Sequence, residues 1–281
     1  VVVKIDNVDQ ARPQTAINEA DVVYEELVEG GLTRLAAVYQ SSYPKLAGPV
    51  RSGRLTDVGI IDDLGHPVFA FAGTNANFYP VLTSQPATPV DPDNYPGLFQ
   101  RIGYNAPHNL FLDIQAVASK STSDTPPPAL FDYLGSGQAF GAGQATPAAS
   151  VSVDFPACEA LWTWDPSRSR WLRSQNGTPD VGASGAQIAA ANVVVLSIPY
   201  EVSGYTAGEG VPPTPIPEGV LTGSGRAWFF SGGAELQGTW SRPSLTSPAT
   251  YSDSSGRPVA FTPGPTWVEL LPQGLAPSAS P

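Results

Sequence analysis

The stretch DVVYEELVEGGLTRLAAVYQSS, Asp21 to Ser42, decides how the first half of the chain is read. Two β-prone runs lie on either side of Gly30-Gly31. Paired glycines supply the positive φ angles of a two-residue turn, so the stretch is expected to form a β-hairpin. In that register Glu29 faces Leu32, Leu27 faces Arg34 and Glu25 faces Ala36. Arg34 then lies diagonally between Glu25 and Glu29, within reach of both. The opposite face carries Val22, Tyr24, Glu26 and Val28. Both faces mix polar and apolar residues, which a plain half-buried strand does not do. Charge inside such a pattern is costly to bury unless it is paired.

The same region gathers more charge than its share. The chain has 25 Asp and Glu and 14 Lys and Arg in 281 residues, yet Arg12, Arg34, Arg51 and Arg54 all fall near its start. In GPVRSGR, Gly48–Arg54, two arginines three apart lie beside a predicted helix start with Thr56 as its cap. That combination suits a phosphate or carboxylate. Asp6, Glu25, Glu29 and Asp57 are oxygen donors of the kind Ca²⁺ or Mg²⁺ takes. Lys4 and the four arginines nearly match them, however, so a buried ion-pair network is the expected reading and no metal or cofactor is assigned. Glu25 and Glu29 also meet the formal requirement of glycoside hydrolysis for two carboxyl groups in different protonation states. His66 precedes Pro67 at a turn. His108, beside Asn109, is read first as a capping or structural residue and second as a catalytic one.

Composition bounds the rest. The length suggests two domains, and 30 Pro with 28 Gly indicate short strands and many turns. A net charge of −11 argues against nucleic acid as a partner. No segment reaches the roughly 20 apolar residues that span a bilayer. The chain contains no Met, which is read as a trimmed form whose signal segment is gone. Cys158 is the single cysteine, so no internal disulfide forms, and it is expected to be a small buried side chain.

The expected class is α+β, with an N-terminal mixed α/β domain around the central hairpin over residues 1–125. A Pro/Gly/Ser/Ala-rich linker covers 126–150, a mostly antiparallel β-rich domain 151–272, and a disordered tail 273–281. APHNLFLDIQAVASKS, Ala106–Ser121, is the strongest helix candidate, with Leu110, Ile114, Val117 and Ala118 on one face. ALWTWDPSRSRWLRS reads as a hairpin turning near Asp165-Pro166-Ser167, with Trp162, Trp164 and Trp171 available to pair.

Taken in order, VKIDN, ARPQ, ADVVYEELVEGGLTR, GPVRSGR, APHNLF and the closing TWVEL resemble the YerB-like lipoprotein family, a domain of unknown function. The resemblance runs over nearly the whole chain. It implies a bacterial envelope protein, extracytoplasmic and either secreted or held by a lipid on an N-terminal cysteine that this chain lacks. It singles out Lys4, Asp6, Asn7, Arg12, Pro13, Gln14, Asp21, Tyr24, Glu25, Glu29, Arg34, Arg51, Ser52, Arg54, His108 and Asn109. Gly53 stands where the family usually has Ala, and the expected histidine near Thr178-Pro179-Asp180 is missing. No reaction comes with the resemblance. The leading expectation is a protein that binds an anionic cell-wall glycan or polymer phosphate through the arginines, with the glutamates orienting them. One alternative is an envelope hydrolase using Glu25 or Glu29 as acid or base. Another is a structural ion-pair network in a protein–protein module whose exposed tryptophans make the contact.

Overall fold

The computed structural model describes residues 1–123, 125–207 and 214–281. Val2–Asp6 (β1), Val22–Leu27 (β2) and Thr33–Val38 (β3) form an antiparallel group, with β3 in the middle. The hairpin is present, but its register is one residue from the expected one: Glu25 faces Leu35, Glu26 faces Arg34 and Leu27 faces Thr33. The cause is the turn. Val28 N–H donates to the Leu32 carbonyl at 2.8 Å, closing a longer loop than two residues. Within it Gly30 and Gly31 have φ of +72° and +77°. A Cβ on Gly31 would meet Pro156 Cβ at 3.0 Å, so only glycine fits there. A slip of one residue exchanges the two faces of one strand against the other. Arg34 therefore joins Glu26 rather than Glu25.

Val68–Ala70 (β4) and Thr88–Val90 (β5) extend the sheet beyond β1 in parallel. Three strands of the second half, Ser150–Phe155 (β6), Cys158–Asp165 (β7) and Arg170–Gln175 (β8), form the body of a separate six-stranded sheet. Trp164 does pair with Trp171 there, across the turn that the sequence marks. The chain then returns to the large sheet with Asn192–Ile198 (β9), Gly223–Ser231 (β10), Ala234–Arg242 (β11), Thr250–Asp253 (β12) and Thr266–Pro272 (β13).

The large sheet has eleven strands, and its main path is β12-β11-β10-β9-β13-β2-β3-β1-β4-β5. Two halves expected as separate domains thus share one sheet. The join is β13, which lies parallel to β9 on one side and parallel to β2 on the other. The second half is accordingly not all antiparallel. Residues expected as a linker contribute Phe131, buried and stacked on Tyr251 with ring centroids 5.5 Å apart. The expected disordered tail carries Ser278–Ser280 (β14), antiparallel to Ser150–Ser152.

The fold is mostly β. Its α-helices among the described residues are Thr56–Asp63 (α1), Tyr79–Thr83 (α2) and Ile114–Ala118 (α3). The Ala106–Ser121 helix is shorter than expected. Leu110–Leu112 is a strand, and Asp113 starts α3 by accepting from Ala116 N–H at 2.9 Å. Thr56 is the first helical residue rather than the cap, and its hydroxyl accepts from Gly219 N–H at 2.8 Å. No described helix is long and apolar enough to cross a membrane.

Two cores cover the faces of the large sheet. On one, Val3, Ile5, Val23 and Leu35 meet Val153, Phe155, Trp162 and Trp171 of the smaller sheet. On the other, Val2, Tyr24 and Ala36 meet Ile60, Ile61 and Phe69. β3 is buried along its whole length and β2 at all but its last residue. Their polar side chains must find partners inside the protein, and this places the candidate site.

Candidate functional site

The charged residues divide between the two faces of β1–β3. Glu25 points toward the smaller sheet and is fully buried. Its Oε1 accepts from Asn7 Nδ2 at 3.0 Å and Thr33 Oγ1 at 2.7 Å. Its Oε2 accepts from Arg173 Nη2 at 2.8 Å and Trp267 Nε1 at 3.3 Å. Arg173 is buried too, donates to Asp180 and to Gln175 Oε1, and lies 5.0 Å from the Trp267 ring centroid. Burial alone would depress this guanidinium, but Glu25 and Asp180 outweigh it and hold it above its ordinary value. Glu269 is the register partner of Glu25 on β13. Burial, and then the neighbouring Glu25, push its carboxyl well above the usual range. Burial and Glu25 also push the Cys158 thiol up to about 12, which leaves it inert. Arg12 and Gln14 complete this side through Asn7 Oδ1, at 3.1 Å each.

The other face holds Lys4, Asp6, Glu26 and Arg34, joined by Arg51, Arg54 and Asp57. Lys4 Nζ lies 2.5 Å from Glu26 Oε1 and 2.9 Å from Asp57 Oδ1. Asp57 in turn accepts from Arg54 N–H at 2.7 Å, fixing the start of α1. Arg54 grips Glu29 Oε2 through Nε at 3.2 Å and Nη2 at 2.8 Å. Arg51 Nε and His108 Nδ1 converge on one oxygen of Asp6, at 2.9 and 2.7 Å. Arg34 is only 9% exposed, yet it reaches no carboxylate. Its Nη1 donates to the Ser52 carbonyl at 3.3 Å and its Nε has no partner. Burial, with Arg54 and Arg51 beside it, lowers the Arg34 guanidinium to about 10.

The hairpin register explains the division. Glu25 and Glu29, expected as a pair, are bound separately, one by Arg173 and the other by Arg54. Asn109 stands apart from both groups and accepts from Arg101 at 2.6 Å. Sequence reasoning missed Arg173 and Glu269. The signal for Arg173 was the alternation of Trp171, Arg173 and Gln175, all buried on one face of β8. Nothing local marks Glu269, because its role arises from a parallel pairing with a segment far away in the chain. The tryptophans expected as an exposed contact are mostly inside: Trp162, Trp171, Trp228, Trp240 and Trp267 are all buried.

The Lys4 group makes stability depend on pH. Burial first, and Asp57 second, raise Glu26 to about 7 against the pull of Lys4. The folded chain thus keeps a proton that unfolded glutamate releases near pH 4.3. Stability from this group is full below that point and is lost as pH rises through about 7, a loss on the order of 3 kcal/mol. Glu26→Gln is expected to flatten the loss between about pH 5 and 7 in urea unfolding. An unchanged slope would assign it to other groups.

Comparison with known proteins bears on both halves. The N-terminal domain profile described as "Protein of unknown function (DUF3048)" matches residues 1–126, and its C-terminal counterpart matches 151–268. The chain belongs to the DUF3048 family. It is 24% identical over its full length to 83% of "Putative lipoprotein YerB" from Bacillus subtilis (strain 168). The crystal structure of the Bacillus subtilis YerB protein superposes with a TM-score of 0.82, covering 100% of this chain and 93% of that one at 24% identity. This DUF3048 chain therefore has the YerB fold.

Proposed function

We propose that this DUF3048 protein is an extracytoplasmic envelope protein, lipid-anchored in its full-length form, that binds an oxyanion at Arg34 and Arg51. The ligand class is a phosphate, free or as part of an anionic cell-wall polymer. One observation carries the reading. Among the buried Lys and Arg side chains, Lys4, Arg54, Arg173 and Arg242 each reach a carboxylate, and Arg34 does not. A buried cation without a counter-ion is costly, and an anionic ligand would offset that cost. Arg51 lies beside it, 24% exposed, with its Nε 2.9 Å from Asp6 Oδ2 in an ion pair. Guanidinium groups suit phosphate because planar N–H pairs match its oxygens. The lipoprotein name of the YerB relative supports the envelope part of the reading.

Glu25 does not favour hydrolysis, since it is sealed from solvent and neutralised by Arg173. Glu29 is held by Arg54 at the hairpin loop.

Calorimetric titration with inorganic phosphate and pyrophosphate tests the proposal. Wild type is expected to bind, and Arg51→Ala to bind roughly 10- to 100-fold more weakly, the loss of one charged hydrogen-bonding group. Arg101→Ala, a change at the exposed Asn109 contact, should leave affinity alone. Equal affinity in wild type and Arg51→Ala would sink the proposal.

A further inference from the structure

Anion binding alone leaves His108 unexplained. It ends the turn in which its own N–H donates to the Asn105 carbonyl at 2.9 Å, just before the Leu110–Leu112 strand. Its ring Nδ1 lies 2.7 Å from Asp6 Oδ2, the oxygen that Arg51 Nε approaches at 2.9 Å. An ionised carboxylate only accepts hydrogen bonds, so Nδ1 carries the proton in this contact. In the neutral ring Nε2 is then left with its lone pair, and no described residue occupies it. Asp6 is 2% exposed and His108 20%. The carboxylate is closed off from solvent and the imidazole is partly exposed. A buried carboxylate that fixes the tautomer and orientation of an imidazole is the arrangement used for proton transfer.

Asp6 also links this couple to the arginines. It faces Arg34 across β1 and β3, and it holds Arg51 by the oxygen that holds the histidine. A proton acceptor and two arginines with N–H groups to spare are thus gathered around one carboxylate. A carboxylate ligand would use the arginines but gives a base nothing to do. A phosphate ester uses both, because it has non-bridging oxygens for the arginines and a bond that water can cleave.

Building on the oxyanion reading, we propose that the site hydrolyses a phosphate ester, with His108 as general base and Arg34 and Arg51 holding the phosphoryl group. The oxygen of a water molecule forms a bond to phosphorus while its proton passes to His108 Nε2. The bond from phosphorus to the ester oxygen breaks, and its electron pair stays on that oxygen. The imidazolium returns the proton there, so ester and water become phosphate and alcohol and the histidine ends neutral. The arginines meet negative charge on the non-bridging oxygens throughout.

The test uses p-nitrophenyl phosphate and bis(p-nitrophenyl) phosphate as probes, with phosphate titration and thermal melting run beside them. Wild type should release p-nitrophenol, and His108→Gln should lower kcat by roughly 100- to 10,000-fold. Phosphate affinity and KM should stay within about threefold, because the lost group acts in the reaction rather than in binding. His108→Gly is the second variant, and free imidazole should restore part of its turnover. Phosphate binding without turnover in wild type overturns the base role and leaves the binding site standing. Absence of phosphate binding in wild type removes both. Equal kcat in wild type and His108→Gln overturns the assignment of His108.

Discussion

Arg173→Met is expected to destabilise the protein by about 5 kcal/mol and to lower its melting temperature by roughly 10–20 °C at neutral pH. The guanidinium is fully buried and serves two carboxylates, Glu25 and Asp180. Removing it leaves the Glu25 carboxylate without its counter-ion in a buried site already beside Glu269. Breaking a buried pair costs more than the pair itself contributes, because the surviving charge is stranded. Two further measurements identify the cause. The deficit should shrink as pH falls, since stranded carboxylates are relieved by protonation. The double variant Glu25→Gln/Arg173→Met should be more stable than Arg173→Met alone, giving a clear coupling energy in a double-mutant cycle. A loss under about 1 kcal/mol would mean that packing of Trp162 and Trp267, rather than charge, holds this core.

Arg34→Met is expected to act in the opposite direction. Holding this guanidinium near 10 instead of its ordinary value corresponds to about 3 kcal/mol of unfavourable charging in the folded state. The sign follows from burial beside two other arginines. Below pH 10 the folded state carries the full cost, and stability recovers only as pH rises above 10 toward the unfolded value. A methionine of similar length keeps the packing of the arginine stem and sheds the charge. It gives up the hydrogen bond to the Ser52 carbonyl. The net expectation is about 2 kcal/mol of added stability without ligand, a melting temperature higher by roughly 4–8 °C, and loss of phosphate binding. Thermal melting with and without phosphate measures both effects. A variant that melts well below wild type would show that Arg34 serves the fold, and the oxyanion proposal would lose its main support.

The sequence made the location of the polar residues legible, but not their partners. Clustered arginines and acids in VKIDN, the hairpin and GPVRSGR do come together at β1–β3. What divides them is a single residue of register. Gly30-Gly31 fits a two-residue turn as well as the longer loop observed, and side-chain alternation could not choose because both faces of the hairpin are covered. The Trp164–Trp171 pairing was readable since it is local and antiparallel. The continuous sheet was not. A parallel contact such as Glu25 beside Glu269 leaves no signature in either segment. Asp180 and Arg173 joined the site for the same reason: each meets it only through the packing of one sheet on another.

The position of β13 has a consequence for how the chain acquires its structure during synthesis. Its residues, Thr266–Pro272, come long after β2 in the chain yet pair directly with it in the middle of the large sheet. Until they emerge, β2 has a bare edge and Glu25 has neither Trp267 nor Glu269 beside it. The first half must therefore wait, incompletely paired, until residues 266–272 have been made. Such long-range parallel pairing is slow to form and leaves strand edges open to wrong partners in the interval. A nascent chain ending before residue 266 lacks the strand that joins its two halves.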